Sequence, residues 1–176
     1  MAAGDEILLH AKRFKVVRRT FPGAGGSLHV QEIVVHPGSV VILPLVTSDQ
    51  ICLIRNYRGS VGEALIELPA GTLDRVEEPA DAARRELIEE TGYRAGRIEK
   101  LLEFYPSPGI LDERMQLFVA TDLVPGEPAR ESGEQIDNLL MSAEDALDFV
   151  RSGGIRDAKT LVGLLFYQQF MRSQSR

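Results

Sequence analysis

Residues 71–93 read GTLDRVEEPADAARRELIEETGY, and the fold of this chain turns on how that stretch is read. Pro79 suits a first helical position and Gly92 suits the position just past a helix end. Between them Ala80, Ala83 and Leu87 form an apolar stripe at helical spacing. Glu86, Glu89 and Glu90 then fall within little more than one turn. At about 100° per residue, Glu86 and Glu90 are about 40° apart and Glu89 lies about 60° to the other side, so all three can converge on one point. On a bare helix this arrangement is unfavourable. Glu86 and Glu90 repel at i,i+4, and acids in the last turn oppose the helix dipole. A hard divalent cation would reverse both effects, because Mg²⁺ takes carboxylate oxygens and keeps waters for a phosphate substrate. Ala82, one turn before Glu86, leaves room for such a ligand. Arg85 can pair with Glu89, but that pairing leaves two acids uncompensated.

Gly71, Glu77 and the run Arg85-Glu86-Leu87-Ile88-Glu89-Glu90-Thr91-Gly92-Tyr93 reproduce the Nudix box, G-x5-E-x7-R-E-U-x-E-E-x-G-U, at every position. Seven fixed identities would arise by chance in roughly one chain in a million at average residue usage, so a solvated acidic face does not account for them. The chain thus resembles the Nudix hydrolases. The resemblance implies an α+β fold, a Nudix-type α/β/α sandwich, and hydrolysis of a nucleoside diphosphate linked to another group, with two to three Mg²⁺ or Mn²⁺ ions. By position, Glu86 and Glu90 are the principal metal ligands it implies, with Glu89 a further or water-mediated one and the Ala70 carbonyl a backbone ligand. Glu77 and Arg85 are the implied pair that holds the Gly71 loop against the helix, a supporting task that metal sites need.

Outward from the box, ELPAG before it and Ser107-Pro108-Gly109 with Asp112-Glu113 after it look like the ADP-ribose pyrophosphatase subgroup, as do the N-terminal region and the ending DAKTLVGLLFY. This resemblance implies hydrolysis of ADP-ribose to AMP and ribose 5-phosphate. GDP-mannose, FAD and NADH remain alternative substrates, and a non-catalytic nucleotide-sensing module is a third possibility that the intact carboxylates argue against. In the subgroup a glutamate from a loop after the later strands often serves as base. Glu134 is the best positional match, followed by Glu131 and Glu127, with a solvated loop acid as the plainer reading. Glu113 is a second candidate for metal or water contact. Arg13 and Phe14 match an arm that stacks adenine and that the subgroup supplies from the partner subunit, although Phe14 also reads as an ordinary strand residue. Arg55 and Arg58 follow a buried strand, where they either grip phosphate or the terminal ribose or form surface ion pairs. Glu67 is placed to hydrogen-bond substrate.

The remaining chain reads as strands, helix, strands and two helices. Residues 7–21 and LHVQEIVVH read as a hairpin of two strands joined by PGAGGS, where no helix follows the glycines to make a phosphate loop. SVVILPLV and QICLIRNYR read as buried strands across the turn Thr47-Ser48-Asp49, and ALIELPAG as one shorter strand. Strands at about 97–105 and 114–121 flank PSPGILDE, and a polar stretch follows. Ser142 with Asp145 resembles a capping box opening a helix to about Arg151. A last helix at about 157–172 turns Leu161, Leu164, Leu165 and Tyr167 to the core. The expected division is an antiparallel strand arm, 1–38, and a hydrolase domain, 39–176. The arm is rich in apolar and basic residues, and a lone hairpin is marginal in water, so a homodimer is expected to cover it.

Charge and composition narrow the partners. The chain has 176 residues, 44% of them apolar, and a formal net charge of −6. That net charge argues against a nucleic-acid binder with a broad basic surface, and −4 of it, from seven acids and three bases, falls in the window between Asp74 and Glu90. Cys52 is the only cysteine, which leaves no intramolecular disulfide and no cysteine-based zinc cluster. His10, His29 and His36 are isolated, without zinc-ligand spacing. The acidic start MAAGDEILLH lacks the bases of a signal peptide, and no apolar run has membrane-spanning length. Cytoplasmic residence, without a membrane partner, is the expectation.

Overall fold

The structure, a computed structural model, describes residues 5–130 and 135–172. Its strands are β1 (Glu6–His10), β2 (Lys15–Pro22), β3 (Leu28–Val35), β4 (Ser39–Pro44), β5 (Gln50–Arg58), β6 (Glu63–Glu67), β7 (Ala70–Thr72), β8 (Arg94–Phe104), β9 (Met115–Val124) and β10 (Ile136–Ser142). Helices α1 (Pro79–Thr91), α2 (Ala143–Arg151) and α3 (Ala158–Phe166) complete it, with a π turn over Tyr167–Met171. Among the described residues the strands form three sheets, ordered β1-β2-β3, β10-β5-β6 and β7-β4-β9-β8.

The layering follows from alternation along β4, whose run SVVILP is buried throughout. Successive strand side chains point to opposite faces. Val40 and Ile42 therefore meet Ala82, Ala83 and Leu87 of α1 together with Phe118 and Ala120 of β9. Val41 and Leu43 face the other way, into a second core with Ile51 and Leu53 of β5, Leu68, Ala143 and Ala146 of α2, and Leu164 and Tyr167. The result is α1, then sheet, then sheet with α2 and α3, an α/β/α sandwich. Leu87 is wholly buried, a contribution of about 1.5–3 kcal/mol for a side chain of its size. Ala82 is wholly buried as well. It packs against the sheet rather than making room for a ligand, because the buried arc of α1 ends at the edge of the acidic face.

Several elements differ from the sequence reading. Residues 7–21 form two strands, because Ala11–Phe14 turn back, the Ala11 N–H donating to the Phe14 carbonyl at 3.0 Å. β4 and β5 follow one another in sequence but lie in different sheets. ALIELPAG is likewise divided, and its halves β6 and β7 also lie in different sheets. Pro69 between them has no N–H to continue a ladder. IDNLLMS is a strand, β10, paired with β5 from Ile136↔Asn56 to Ser142↔Gln50. Leu165 is half exposed, at 51%, while its neighbour Leu164 carries the packing.

The chain's first sheet docks through β3, where the Val34 N–H donates to the Ile110 carbonyl at 2.8 Å and the Asp112 N–H to the Val34 carbonyl at 3.0 Å. This contact brings PSPGILDE, and with it Glu113, beside the turn at Ala11–Phe14. Cys52 is buried, and burial pushes its thiol up to about 12, as suits an unreactive core residue. Among the described residues no helix is long and apolar enough to cross a membrane.

Candidate active site

A cleft of about 450 Å³ opens between the last turn of α1, β7, the ends of β5 and β6, and the start of α3. Local sequence explains why α1 ends there. Gly92 adopts φ 81°, which an L side chain resists, and its N–H closes on the Ile88 carbonyl at 2.9 Å. The terminal carbonyls then find partners from beyond β9. Arg130 Nε donates to the Glu90 carbonyl at 3.1 Å, and Asn138 Nδ2 to the Thr91 carbonyl at 2.8 Å.

Glu86, Glu89, Glu90, Ala70, Gly71 and Arg85 all line this cleft. β7 crosses the helix so closely that a Cβ on Gly71 would stand 1.9 Å from Glu86 Cδ. Glycine is needed here for contact, and any side chain would displace the Glu86 carboxylate. Glu90, 6% exposed, accepts from the Ala70 N–H through Oε2 at 3.0 Å. Arg85 donates to Glu77 at 2.7 Å, to Glu86 at 2.6 Å and to Glu89 at 2.9 Å. One guanidinium thus ties the Gly71–Glu77 loop to the helix and offsets the repulsion among its acids. Hydrogen bonds from Arg85 hold the Glu77 carboxyl below its ordinary range. Burial pushes the Glu86 carboxyl up, with Arg85 pulling the other way.

The three helix acids share the cleft but do not meet at a single point. Among the described residues no three His, Cys, Asp or Glu side chains stand close enough together to enclose an ion as they are placed. The reason is visible in the bonding: Glu86 and Glu89 are turned onto Arg85, and Glu90 onto the Ala70 amide. The donor chemistry nevertheless fits a hard cation, since carboxylates and a backbone carbonyl supply only oxygen.

The other candidates separate. Glu113 lines the cleft, where its Oε1 accepts from the Ser39 hydroxyl and lies 3.4 Å from His36 Nδ1. Arg58 and Glu67 also line it, joined by a two-pronged contact at 2.8 and 2.6 Å. Burial pushes the Glu67 carboxyl up, but Arg58 and Lys159 outweigh it and leave it below its ordinary value. Arg55 is not among the lining residues and is exposed. Strand alternation explains this: Asn56 and Arg58 share the cleft face of β5, so Arg55, an odd number of residues away, points from the other. Arg13 lines the cleft of its own chain, whereas the resemblance implies an arm reaching the partner's. With Phe14, His10 and His36 it also borders an adjoining, more apolar hollow of about 280 Å³. Glu127 is exposed and outside the lining, and Glu131 and Glu134 lie outside the described residues.

Sequence reasoning missed Asn56, Asp157 and Lys159, all of which line the cleft. Asp157 carried a usable signal, because D-x-x-T opens a helix. Its carboxylate caps α3 by accepting from the Thr160 N–H at 3.0 Å.

Comparison with known proteins agrees with this architecture. A family model described as NUDIX domain matches residues 35–161. The chain is 38% identical over 145 residues to the ADP-ribose pyrophosphatase of Bacillus subtilis (strain 168), covering 81% of this chain and 78% of that protein. It is 40% identical over 141 residues to the GDP-mannose pyrophosphatase of Cronobacter sakazakii (strain ATCC BAA-894), covering 74% and 73%. A crystal structure of an ADP compounds hydrolase superposes with a TM-score of 0.83 over 100% of this chain and 98% of its own, at 23% identity, a likeness of fold.

Proposed function

Because this chain belongs to the NUDIX domain family, we propose that it hydrolyses the pyrophosphate bond of ADP-ribose, giving AMP and ribose 5-phosphate. The observation that carries this reading is that Glu86, Glu89 and Glu90 of α1, Ala70 and the Arg58–Glu67 pair all line one cleft. The 38% identity to an ADP-ribose pyrophosphatase across four-fifths of the chain supports the substrate. GDP-mannose is the second reading, on the 40% identity to a GDP-mannose pyrophosphatase.

Nudix hydrolases generally need divalent metal ions. Seven carboxylates and five cationic side chains line the cleft, so an anionic pyrophosphate is best admitted together with cations. In this proposal Glu86, Glu89, Glu90 and the Ala70 carbonyl hold two or three Mg²⁺ or Mn²⁺ ions, released from their present partners. Such ions, when bound, supply charge neutralisation at the phosphates and a more acidic water. Arg85 and Glu77 keep the helix acids and the Gly71 loop in register. Arg58 grips the anionic bridge, oriented by Glu67. Glu134 takes the proton of the attacking water, with Glu113 the alternative. Arg13 and Phe14 serve the adenine end. The single buried cysteine suits a reducing compartment such as the cytoplasm.

The test is turnover of ADP-ribose, GDP-mannose, FAD and NADH side by side with Mg²⁺. ADP-ribose is expected to give the highest kcat/KM, and a preference for GDP-mannose would move the assignment to the second reading.

The strand arm within residues 1–38 is proposed to form a homodimer. Leu9, Leu28 and Val30, which the strand register places on one face of its sheet, are 51%, 74% and 58% exposed, and a second copy would bury them about a twofold axis. Deleting residues 1–20, or combining Leu28→Asp with Val30→Asp, is expected to shift the protein to monomer in light scattering and to weaken ADP-ribose affinity. An unaltered protein that is monomeric and fully active at working concentrations would overturn the dimer.

A further inference from the structure

On the wall of the cleft built by β5, β6 and the start of α3, four charged side chains touch in sequence. Arg58 donates to both oxygens of Glu67 through Nε and Nη2, at 2.8 and 2.6 Å. Lys159 Nζ donates to Glu67 Oε2 at 2.6 Å and lies 3.0 Å from Asp157 Oδ1. Glu67 and Lys159 are 1% and 7% exposed, and all four residues line the cleft. The helix that carries Lys159 is itself held to the strand that carries Glu67. Thr160 Oγ1 accepts from the Leu68 N–H at 2.8 Å and donates to Asp157 Oδ2 at 2.6 Å. On the same face, a Cβ on Gly163 would stand 2.4 Å from Leu68 Cδ1, so the helix lies close on the strand end.

Lys159 adds to the attraction that Arg58 exerts on Glu67, but charge is not all it brings. What a second donor adds is direction. It engages Oε2 from a fixed helix and so fixes the plane of the carboxylate, and a two-pronged guanidinium contact follows that plane. The orientation of Arg58 is then set by a lysine 92 residues beyond Glu67.

We propose that Lys159 is a positioning residue for anion recognition. It orients Glu67, Glu67 orients Arg58, and Arg58 meets the pyrophosphate of the substrate. The inference rests on the reading of function above and deepens it, making the start of α3 a determinant of substrate affinity rather than only a packing element.

A double-mutant cycle decides it. Lys159→Met, Arg58→Gln and the double variant are compared for binding of methylene-bridged ADP-ribose with Mg²⁺, for KM and kcat on ADP-ribose, and for thermal unfolding. Lys159→Met is expected to weaken binding and raise KM by about tenfold with kcat within about threefold of wild type, because the contact is made before and during reaction alike. Lys159→Arg is expected to recover affinity to within about threefold, since it keeps a donor toward Glu67. In the Arg58→Gln background, Lys159→Met should cost less than about twofold more, because the two act through one contact. Should Lys159→Met fail to fold, Lys159→Gln takes its place in the same cycle. Additive penalties, or a lowered unfolding temperature with unchanged affinity, would overturn the proposal while leaving the hydrolase reading intact. A wild-type protein that neither binds the analogue nor turns over ADP-ribose would overturn that reading, and this inference with it.

Discussion

Replacing Glu86 or Glu90 with glutamine is expected to lower ADP-ribose turnover at limiting Mg²⁺ by roughly 10³-fold in each case while the fold survives. A divalent ion contributes several kcal/mol of transition-state charge stabilisation, and each ~1.4 kcal/mol is about tenfold in rate. Glutamine keeps the shape of the side chain and one carbonyl oxygen but gives up the charge that holds a hard cation. The structure indicates why folding should tolerate the change. At position 90 the amide oxygen can still accept from the Ala70 N–H, the bond Glu90 makes at 3.0 Å. At position 86, Arg85 keeps Glu77 and Glu89 as partners. The i,i+4 repulsion relieved is worth only about 0.2–0.5 kcal/mol, so unfolding temperatures should change little. Near-normal turnover in both variants would remove the metal-ligand assignment.

The second large effect concerns the base. Glu134→Gln is expected to reduce kcat by about 10²- to 10⁴-fold, the usual range for a general base, with a much smaller change in substrate affinity. Glu113 is the rival because it lines the cleft, yet its Oε1 already accepts from the Ser39 hydroxyl and faces His36. A carboxylate so engaged is poorly placed to take a proton from water, and Glu113→Gln should be the milder variant. Parallel kcat measurements on Glu113→Gln, Glu131→Gln and Glu134→Gln separate them. A silent Glu134→Gln beside a crippled Glu113→Gln or Glu131→Gln would move the role to that residue.

What could be read from the sequence was what is local in sequence. The helix between Pro79 and Gly92, its three acids and the Glu77–Arg85 pair lie within one short stretch, and the structure joins Arg85 to Glu77 at 2.7 Å. The dispersed part of the cleft was harder. Nothing in the sequence sets Lys159 apart from any other lysine, and only the docking of α3 on Leu68 brings it to Glu67. Arg55 and Arg58 looked equivalent because the phase of a strand is not fixed until its buried face is known. HAKRF contains neither glycine nor proline, so nothing in it announces the turn at Ala11–Phe14. β10 was hidden by Asp137 and Asn138, polar residues that the sheet accommodates by exposing them. The expectation that Glu86, Glu89 and Glu90 meet at one point came from backbone angles alone. It counted Arg85 as a partner of Glu89 alone and left out the Ala70 amide, whereas Arg85 gathers both Glu86 and Glu89 while the Ala70 N–H holds Glu90 apart from them.

The account stands most directly on one assay. The purified protein is incubated with ADP-ribose, with Mg²⁺ or Mn²⁺ in one arm and with a chelator in the other, and AMP and ribose 5-phosphate are quantified. Equal amounts of the two products, formed only when the metal is present, are the predicted result. ADP-ribose that stays intact with both metals, or products that form just as fast in the chelator, would contradict it.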